Sequence, residues 1–234
     1  MDFPRDKGIL HAAIFRLLYL TKTLGTRIFG KRLTLGFLLD TSWLFRRLAF
    51  ELGGEMYGNH FHNESLATNP SVLKEIIPKG SRVVDIGCGS GRWARVISEL
   101  GCEVVGVDHS ASNLELARSK GGNIEYIQFD ATQDFGKLGK FDFGVLIHVL
   151  EHIENPTDLM RSLRSSCKKL VIEVPDFESD SLNWLRIKTN RPYYSDADHV
   201  REYSSESIKE LVNKTGWITT YKFQKGGAQL IIVE

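Results

Sequence analysis

The stretch that decides the fold lies at residues 83–93 and reads Val-Val-Asp-Ile-Gly-Cys-Gly-Ser-Gly-Arg-Trp. β-Branched residues followed by closely spaced glycines predict a buried strand that ends in a sharp turn. Gly87, Gly89 and Gly91 let the backbone approach a ligand closely, and the N–H groups of the next helix would face that ligand. The segment therefore predicts a strand, a ligand-binding turn and a helix in direct succession.

Short apolar runs alternate with helical segments through the rest of the chain after this turn. The runs predict seven strands, at residues 82–86, 103–108, 124–129, 141–147, 169–174, 217–223 and 229–233. Lys225-Gly226-Gly227 joins the last two strands and predicts a tight antiparallel hairpin. We therefore predict an α/β fold with a Rossmann-like, mostly parallel seven-stranded sheet and a C-terminal antiparallel hairpin.

The charge of the chain is balanced in total but not along its length. The 234 residues include 30 Lys and Arg against 29 Asp and Glu, while residues 1–50 hold nine basic and three acidic groups. A net charge of only +1 argues against nucleic acid as the main partner. Three cysteines without paired spacing predict reduced thiols in a cytoplasmic protein. We predict two domains, a basic, apolar helical extension at 1–64 and the α/β domain at 65–234.

Three carboxylates are predicted at one edge of the sheet. Asp85 lies inside the first strand, Asp108 ends the second strand 23 residues later, and Asp130 follows the third. An acid at the end of the second strand is where such folds bind a ribose diol. A carboxylate at Asp85 can reach a cationic group on a ligand in the glycine turn.

Together these segments resemble the class I S-adenosylmethionine-dependent methyltransferases over about residues 70–234. Residues 85–91 are similar to their first motif, Val107-Asp108 to the acidic ribose motif, and 129–131 to the adenine motif. Residues 148–153 are similar to the segment after the fourth strand of small-molecule members. The resemblance implies methyl transfer from S-adenosylmethionine, and we expect the acceptor to be a hydroxyl of a small molecule, a sugar or a lipid-linked intermediate.

The resemblance also implies which residues bind the donor. The expected donor-binding positions are Asp85, Gly87, Cys88, Gly89, Gly91, Asp108, His109, Asp130, Ala131, His148 and Val149. Two alternatives stay open. An NAD(P)-dependent oxidoreductase would need Gly or Ala five residues after Gly87, where this chain has Arg92. A non-catalytic protein that only binds the donor is the other.

His148 is the predicted general base, since it follows an apolar strand at the ligand edge and imidazole titrates near neutral pH. A competing interpretation makes His148, Glu151, His152 and His199 ligands of a divalent metal. It rests on a resemblance to methyltransferases that bind a metal through Glu-x-x-Glu-His and a distant His. Here His148 replaces the first glutamate, and imidazole prefers softer metals than magnesium. We favour the metal-free interpretation.

The N-terminal extension is apolar over most of a helix circumference at residues 9–20 and again at 33–50. One interpretation is a helical cap that roofs the acceptor pocket. The other is contact with an anionic membrane surface through residues 1–50, with a glycan or lipid-linked acceptor and a peripheral location. The connection at 175–203 is longer than an ordinary loop, so we expect it to contribute to acceptor specificity.

Overall fold

The computed structural model describes residues 9–65, 67–131, 133–191, 196 and 198–234, with side chains omitted at 9–15 and 58–65. The chain divides into two compact units. One comprises Met1–Met56 and Ser181–Tyr193, and the other comprises Tyr57–Asp180 and Tyr194–Glu234. The predicted division into domains at 1–64 and 65–234 stays a prediction.

The larger unit is built on one sheet of seven strands. The strands are β1 Arg82–Ile86, β2 Glu103–Asp108, β3 Glu125–Gln128, β4 Phe141–Ile147, β5 Cys167–Pro175, β6 Thr219–Lys225 and β7 Ala228–Val233. Their order is β3-β2-β1-β4-β5-β7-β6. The first five strands pair in parallel, and β7 pairs antiparallel with both β5 and β6. The predicted sheet with its terminal hairpin is confirmed.

Seven helices accompany the sheet among the described residues. They are α1 Ile9–Ser65, α2 Pro70–Ile76, α3 Arg92–Glu99, α4 Ala111–Ser119, α5 Pro156–Ser166, α6 Ser181–Lys188 and α7 Ser205–Lys214. Local chemistry sets where several of them begin. The Ser110 hydroxyl accepts from the Asn113 N–H at the start of α4, and Ser204 forms a capping box with Ser207 at the start of α7.

Alternate side chains of the central strands enter two different apolar cores. In β1, Val84 and Ile86 belong to one buried cluster, whereas Val83 belongs to the other. Successive side chains of a strand point to opposite faces, so the two cores lie on the two faces of the sheet. The strand order reverses between β1 and β4, and ligands of open α/β sheets bind outside the carboxyl ends of the strands at this point.

The smaller unit consists of most of α1 together with α6. Buried Arg186 donates from Nη2 to the backbone oxygen of Leu39 at 3.0 Å, and Arg191 forms an ion pair with Asp40 at 2.6 Å. These bonds join the two helices within the unit. The predicted N-terminal helical extension is thus confirmed. A search of the described residues finds no helix both long and apolar enough to cross a bilayer.

Gly91 gives a direct test of the turn that begins α3. It has φ of 74°, and a Cβ there would lie 2.3 Å from the Tyr126 hydroxyl oxygen. We expect Gly91→Ala to lower the free energy of unfolding by about 3 kcal/mol, since it adds a clash to backbone strain. Urea denaturation measures this change.

Gly80 provides the matched control for backbone strain alone. It also has positive φ, 84°, but a Cβ there would meet no atom within 4 Å. Gly80→Ala should therefore cost only about 1 kcal/mol. Equal losses in the two variants would contradict the packing role of Gly91.

Candidate active site

The glycine turn after β1 combines close packing with open space. A Cβ at Gly87 would lie 2.7 Å from Val149, so this glycine lets the segment after β4 approach the turn. A Cβ at Gly89 would meet nothing within 4 Å, although Gly89 has a positive φ of 51°. The turn therefore leaves room for a ligand at Gly89 itself.

Asp108 is fixed beside this space by two backbone N–H groups. Its Oδ2 accepts from Gly89 N–H at 2.8 Å, and its Oδ1 accepts from Ser110 N–H at 2.8 Å. The carboxylate is buried at the end of β2, and each oxygen retains a lone pair for a further donor. His109 next to it is exposed, with its Nδ1 3.6 Å from Asp108 Oδ1.

Asp85 is a buried carboxylate with unused hydrogen-bonding capacity. Its Oδ2 has no hydrogen-bond partner among the described residues. Burial, with a contribution from the charge of Asp108, raises the pKa of Asp85 to about 7, although the N–H of Ala94 opposes the shift. A cationic group that reached Asp85 would favour its charged form.

Among the other expected donor-binding positions, Cys88 lies in the turn and Asp130 and Ala131 follow the third strand. Cys88 is buried, and burial raises the pKa of its thiol, which therefore remains protonated. Asp130 is exposed, and half-buried Ala131 packs against the core. The structure thus brings Asp85, Gly89 and Asp108 together, while donor contacts at the other positions stay predictions.

His148 lies between two buried carboxylates. Its Nδ1 is 2.9 Å from Glu151 Oε1 and its Nε2 is 3.0 Å from Glu173 Oε1. Burial alone would lower the pKa of His148, but both carboxylates outweigh it and raise the pKa to about 10. His148 adopts the left-handed region, with φ of 56°, as it leaves β4. In this arrangement neither ring nitrogen is available to accept a proton.

Glu173 is a site residue that the sequence interpretation missed. It is fully buried in β5 and also accepts a hydrogen bond from the backbone N–H of Thr68. The available signal was a single carboxylate inside the apolar run Leu170-Val171-Ile172-Glu173-Val174. Such a buried charge needs a partner, and here the partner is the imidazolium of His148.

The proposed metal ligands come together only in part. Glu151, His152 and His199 each offer a ligand atom, and these atoms lie within 4.8 Å of one another. His148 is not in this group, since its ring nitrogens face Glu151 and Glu173. The set expected from the sequence is thereby reduced from four residues to three.

The three residues fit a divalent metal by their chemistry. Glu151 Oε2 is buried and has no hydrogen-bond partner among the described side chains and backbone. Glu202 Oε1 lies 2.9 Å from His199 Nδ1, and a carboxylate behind an imidazole commonly orients it as a ligand. Two imidazoles and one carboxylate are a ligand set that a zinc-like ion accepts, and metal binding here stays a prediction that we do not favour.

Comparison with known proteins identifies the family of the chain. The family model described as a methyltransferase domain matches residues 59–221 of the chain. This match covers well over half of the sequence and includes the glycine turn, Asp108 and His148.

Curated relatives match a shorter segment. A ubiquinone biosynthesis O-methyltransferase of Erwinia tasmaniensis is 33% identical over 97 residues, which are 39% of this chain and 38% of that protein. The mitochondrial ubiquinone biosynthesis O-methyltransferase of Arabidopsis thaliana is 32% identical over 101 residues, 41% of this chain and 31% of that one. The chain thus spans less than two fifths of the length of these relatives.

Solved structures share the fold at low sequence identity. An S-adenosylmethionine-dependent methyltransferase of Methanosarcina mazei has a TM-score of 0.56 at 17% identity and covers 69% of this chain and 95% of its own. Magnesium protoporphyrin IX methyltransferase of Synechocystis, solved with S-adenosylhomocysteine, has a TM-score of 0.57 at 18% identity, with 70% and 78% covered.

The buried charges around His148 lead to a stability prediction. His148→Ala removes the cation between Glu151 and Glu173, and breaking a buried ion pair leaves uncompensated charge. We expect a loss of about 3 kcal/mol in the free energy of unfolding at neutral pH, measured by urea denaturation.

His109→Ala is the control, because the His109 side chain is 82% exposed. This change should cost less than about 0.5 kcal/mol. Similar unfolding midpoints for the two variants would contradict the ion-paired geometry of His148.

Proposed function

Because the chain belongs to the methyltransferase domain family, we propose that it transfers a methyl group from S-adenosylmethionine to a hydroxyl of a small molecule. One observation carries the proposal more than any other. The carboxylates of Asp85 and Asp108 flank a glycine turn that is open at Gly89, at the point where the strand order reverses. The site therefore suits a ligand that carries both a positive charge and a ribose.

The donor fits this site group by group. The Asp108 carboxylate, held by Gly89 and Ser110, accepts from the ribose hydroxyls. Asp85 lies on the methionine side, where its buried carboxylate balances the positive charge of the donor. A dinucleotide has a diphosphate in this position, and a buried acid would repel it. The residues after the third strand, Asp130 and Ala131, are assigned to the adenine.

The reaction is an in-line displacement at the methyl carbon. The acceptor oxygen supplies an electron pair to form the C–O bond, the C–S bond breaks, and the sulfonium leaves as a neutral thioether. The donor already carries the activation, so the protein mainly orients two substrates and accepts the hydroxyl proton. A general-base role of His148 stays a prediction. It requires that Glu151 or Glu173 release one ring nitrogen and that this nitrogen lose its proton before the acceptor binds.

An oxygen acceptor is supported by the names of the relatives, which are O-methyltransferases. The segment after β4 reads His148-Val149-Leu150-Glu151 and has no Asn-Pro-Pro-Tyr-like signature of nitrogen methylation. Within this class we include a sugar hydroxyl and a lipid-linked intermediate. We propose a cytoplasmic protein that meets such an acceptor at the membrane surface.

Labelled donor provides the test of activity. We expect the protein, incubated with methyl-labelled S-adenosylmethionine and a cell extract, to form S-adenosylhomocysteine and an extractable product with an O-linked methyl group. Asp108→Ala should abolish both, since the ribose loses its acceptor. Donor binding in calorimetry without any turnover would instead identify a protein that only binds the donor.

Donor affinity should depend on pH through Asp85. Its carboxyl, next to Asp108 and Cys88, has a pKa raised to about 7, so it is increasingly protonated in more acidic solution. A cationic donor favours the carboxylate, and lowering the pH from about 8 to about 6 should weaken the affinity about tenfold. Calorimetric titration of S-adenosylmethionine across this range measures the effect.

Two variants make this pH test specific. Asp85→Asn should bind the donor more weakly and lose the slope between the two pH values. Asp134→Asn changes an exposed carboxylate that caps a short turn, and it should keep the slope of the unaltered protein. A slope that survives in Asp85→Asn would contradict the assignment.

A further inference from the structure

The smaller unit exposes most of the large apolar side chains that face solvent. Of the 23 exposed large hydrophobic residues described, 17 lie in this unit, 15 of them on α1 and two on α6. Phe29 is 63% exposed and Trp184 is 61% exposed. Apolar surface on this scale marks a site of interaction rather than an ordinary protein surface.

The apolar residues of α1 do not form the single stripe of a helix that packs on one core. Four consecutive residues, Leu17, Leu18, Tyr19 and Leu20, are all exposed. Because successive helix positions are about 100° apart, these four point in all directions around the axis. A helix that is apolar all round belongs in an apolar medium or at its boundary.

A sharp bend folds this helix back on itself. Gly30 has φ of 79°, outside the helical region. A Cβ on Gly25 would lie 3.1 Å from Thr34, whereas nine residues of straight helix span about 13 Å. An apolar groove of about 410 Å³ is lined from both sides of the bend, by Phe29 before it and Leu33 and Phe37 after it.

The polar groups of the bent helix are suited to a medium with little water. All five threonine hydroxyls between residues 16 and 57 donate to backbone oxygens of their own helix, at Thr21, Thr23, Thr26, Thr34 and Thr41. Hydroxyl donors satisfied in this way cost little when water is removed.

The same unit carries a strong positive charge. Its described side chains at 16–56 and 181–191 include ten Lys or Arg and three Asp or Glu, although the whole chain has a net charge of +1. Lys31 and Arg32 are exposed directly after the bend. A second copy of this surface would meet like charge, whereas an anionic lipid surface would meet opposite charge.

We propose that α1 and α6 of the smaller unit form a docking surface for an anionic lipid bilayer. The apolar side chains enter the boundary between headgroups and acyl chains, while Lys and Arg extend to the lipid phosphates. The unit lies on the bilayer rather than through it, in keeping with the absence of a spanning helix among the described residues. Only the biological role of this surface rests on the proposed function. That role is to bring the enzyme to a lipid-linked acceptor.

Vesicle sedimentation of the full-length protein tests the surface without any need for methyl transfer. Vesicles of equal parts phosphatidylcholine and phosphatidylglycerol should sediment the protein, and phosphatidylcholine vesicles should sediment much less. High salt should weaken the binding to the anionic vesicles, since exposed charges are screened. Equal binding to both kinds of vesicle would overturn the electrostatic part of the proposal.

Matched variants locate the surface. Leu20→Glu with Phe29→Glu, and separately Lys31→Glu with Arg32→Glu, should each weaken vesicle binding about tenfold or more. Ile218→Glu alters a residue of the larger unit that is 67% exposed and should have no effect. The double variant Lys209→Glu with Lys222→Glu makes the same change of charge as Lys31→Glu with Arg32→Glu, but outside the surface. It should leave vesicle binding unchanged.

Donor binding by calorimetry separates this proposal from the proposed function. Each variant should bind S-adenosylmethionine as the unaltered protein does, which also shows that the larger unit remains folded. Vesicle binding that is insensitive to residues 20, 29, 31 and 32 would overturn the docking surface. A dimer in sedimentation velocity that Leu20→Glu dissolves, without vesicle binding, would show that a second copy covers it.

Discussion

Parallel pairing of β1 with both β2 and β4 is the constraint on which the site depends. This pairing brings the carboxyl ends of three strands to one edge. The backbone N–H of Gly89 after β1 then reaches the carboxylate of Asp108 after β2. On the other side, Gly87 leaves the space that Val149 after β4 occupies. A shift in register would separate these groups, since each contact joins residues from different strands.

Burial of charge divides the site into two regions of different character. Burial beside Asp108 raises the pKa of Asp85 to about 7, and its Oδ2 has no hydrogen-bond partner among the described residues. We propose that a positively charged ligand binds at this carboxylate. His148, by contrast, has its cation fixed between Glu151 and Glu173. The unpartnered oxygen of Asp85 is where we propose that a ligand brings positive charge, whereas the paired imidazolium of His148 compensates buried charge within the protein itself.

The two units differ in how much of their apolar surface they bury. The strands of the larger unit other than the edge strand β6 bury their apolar residues in two cores, one on each face of the sheet. Helix α1 of the smaller unit keeps leucines and phenylalanines in solvent, together with an excess of basic residues. The net charge of +1 of the whole chain therefore averages a basic smaller unit, which we propose meets an anionic surface, and an acidic remainder, which we propose binds a cationic donor.

Local patterns in the sequence were sufficient for the strands, the glycine turn and the positions of Asp85 and Asp108, because periodicity and chain order determine which residues end a parallel strand. Tertiary structure alone decided that Glu173 pairs with His148, 25 residues away, and that the bend at Gly30 brings Gly25 to Thr34. Those contacts depend on strand register, rotamers and one backbone angle at a glycine. None of these leaves a periodic signal in the sequence, so only the folded chain shows which side chains meet.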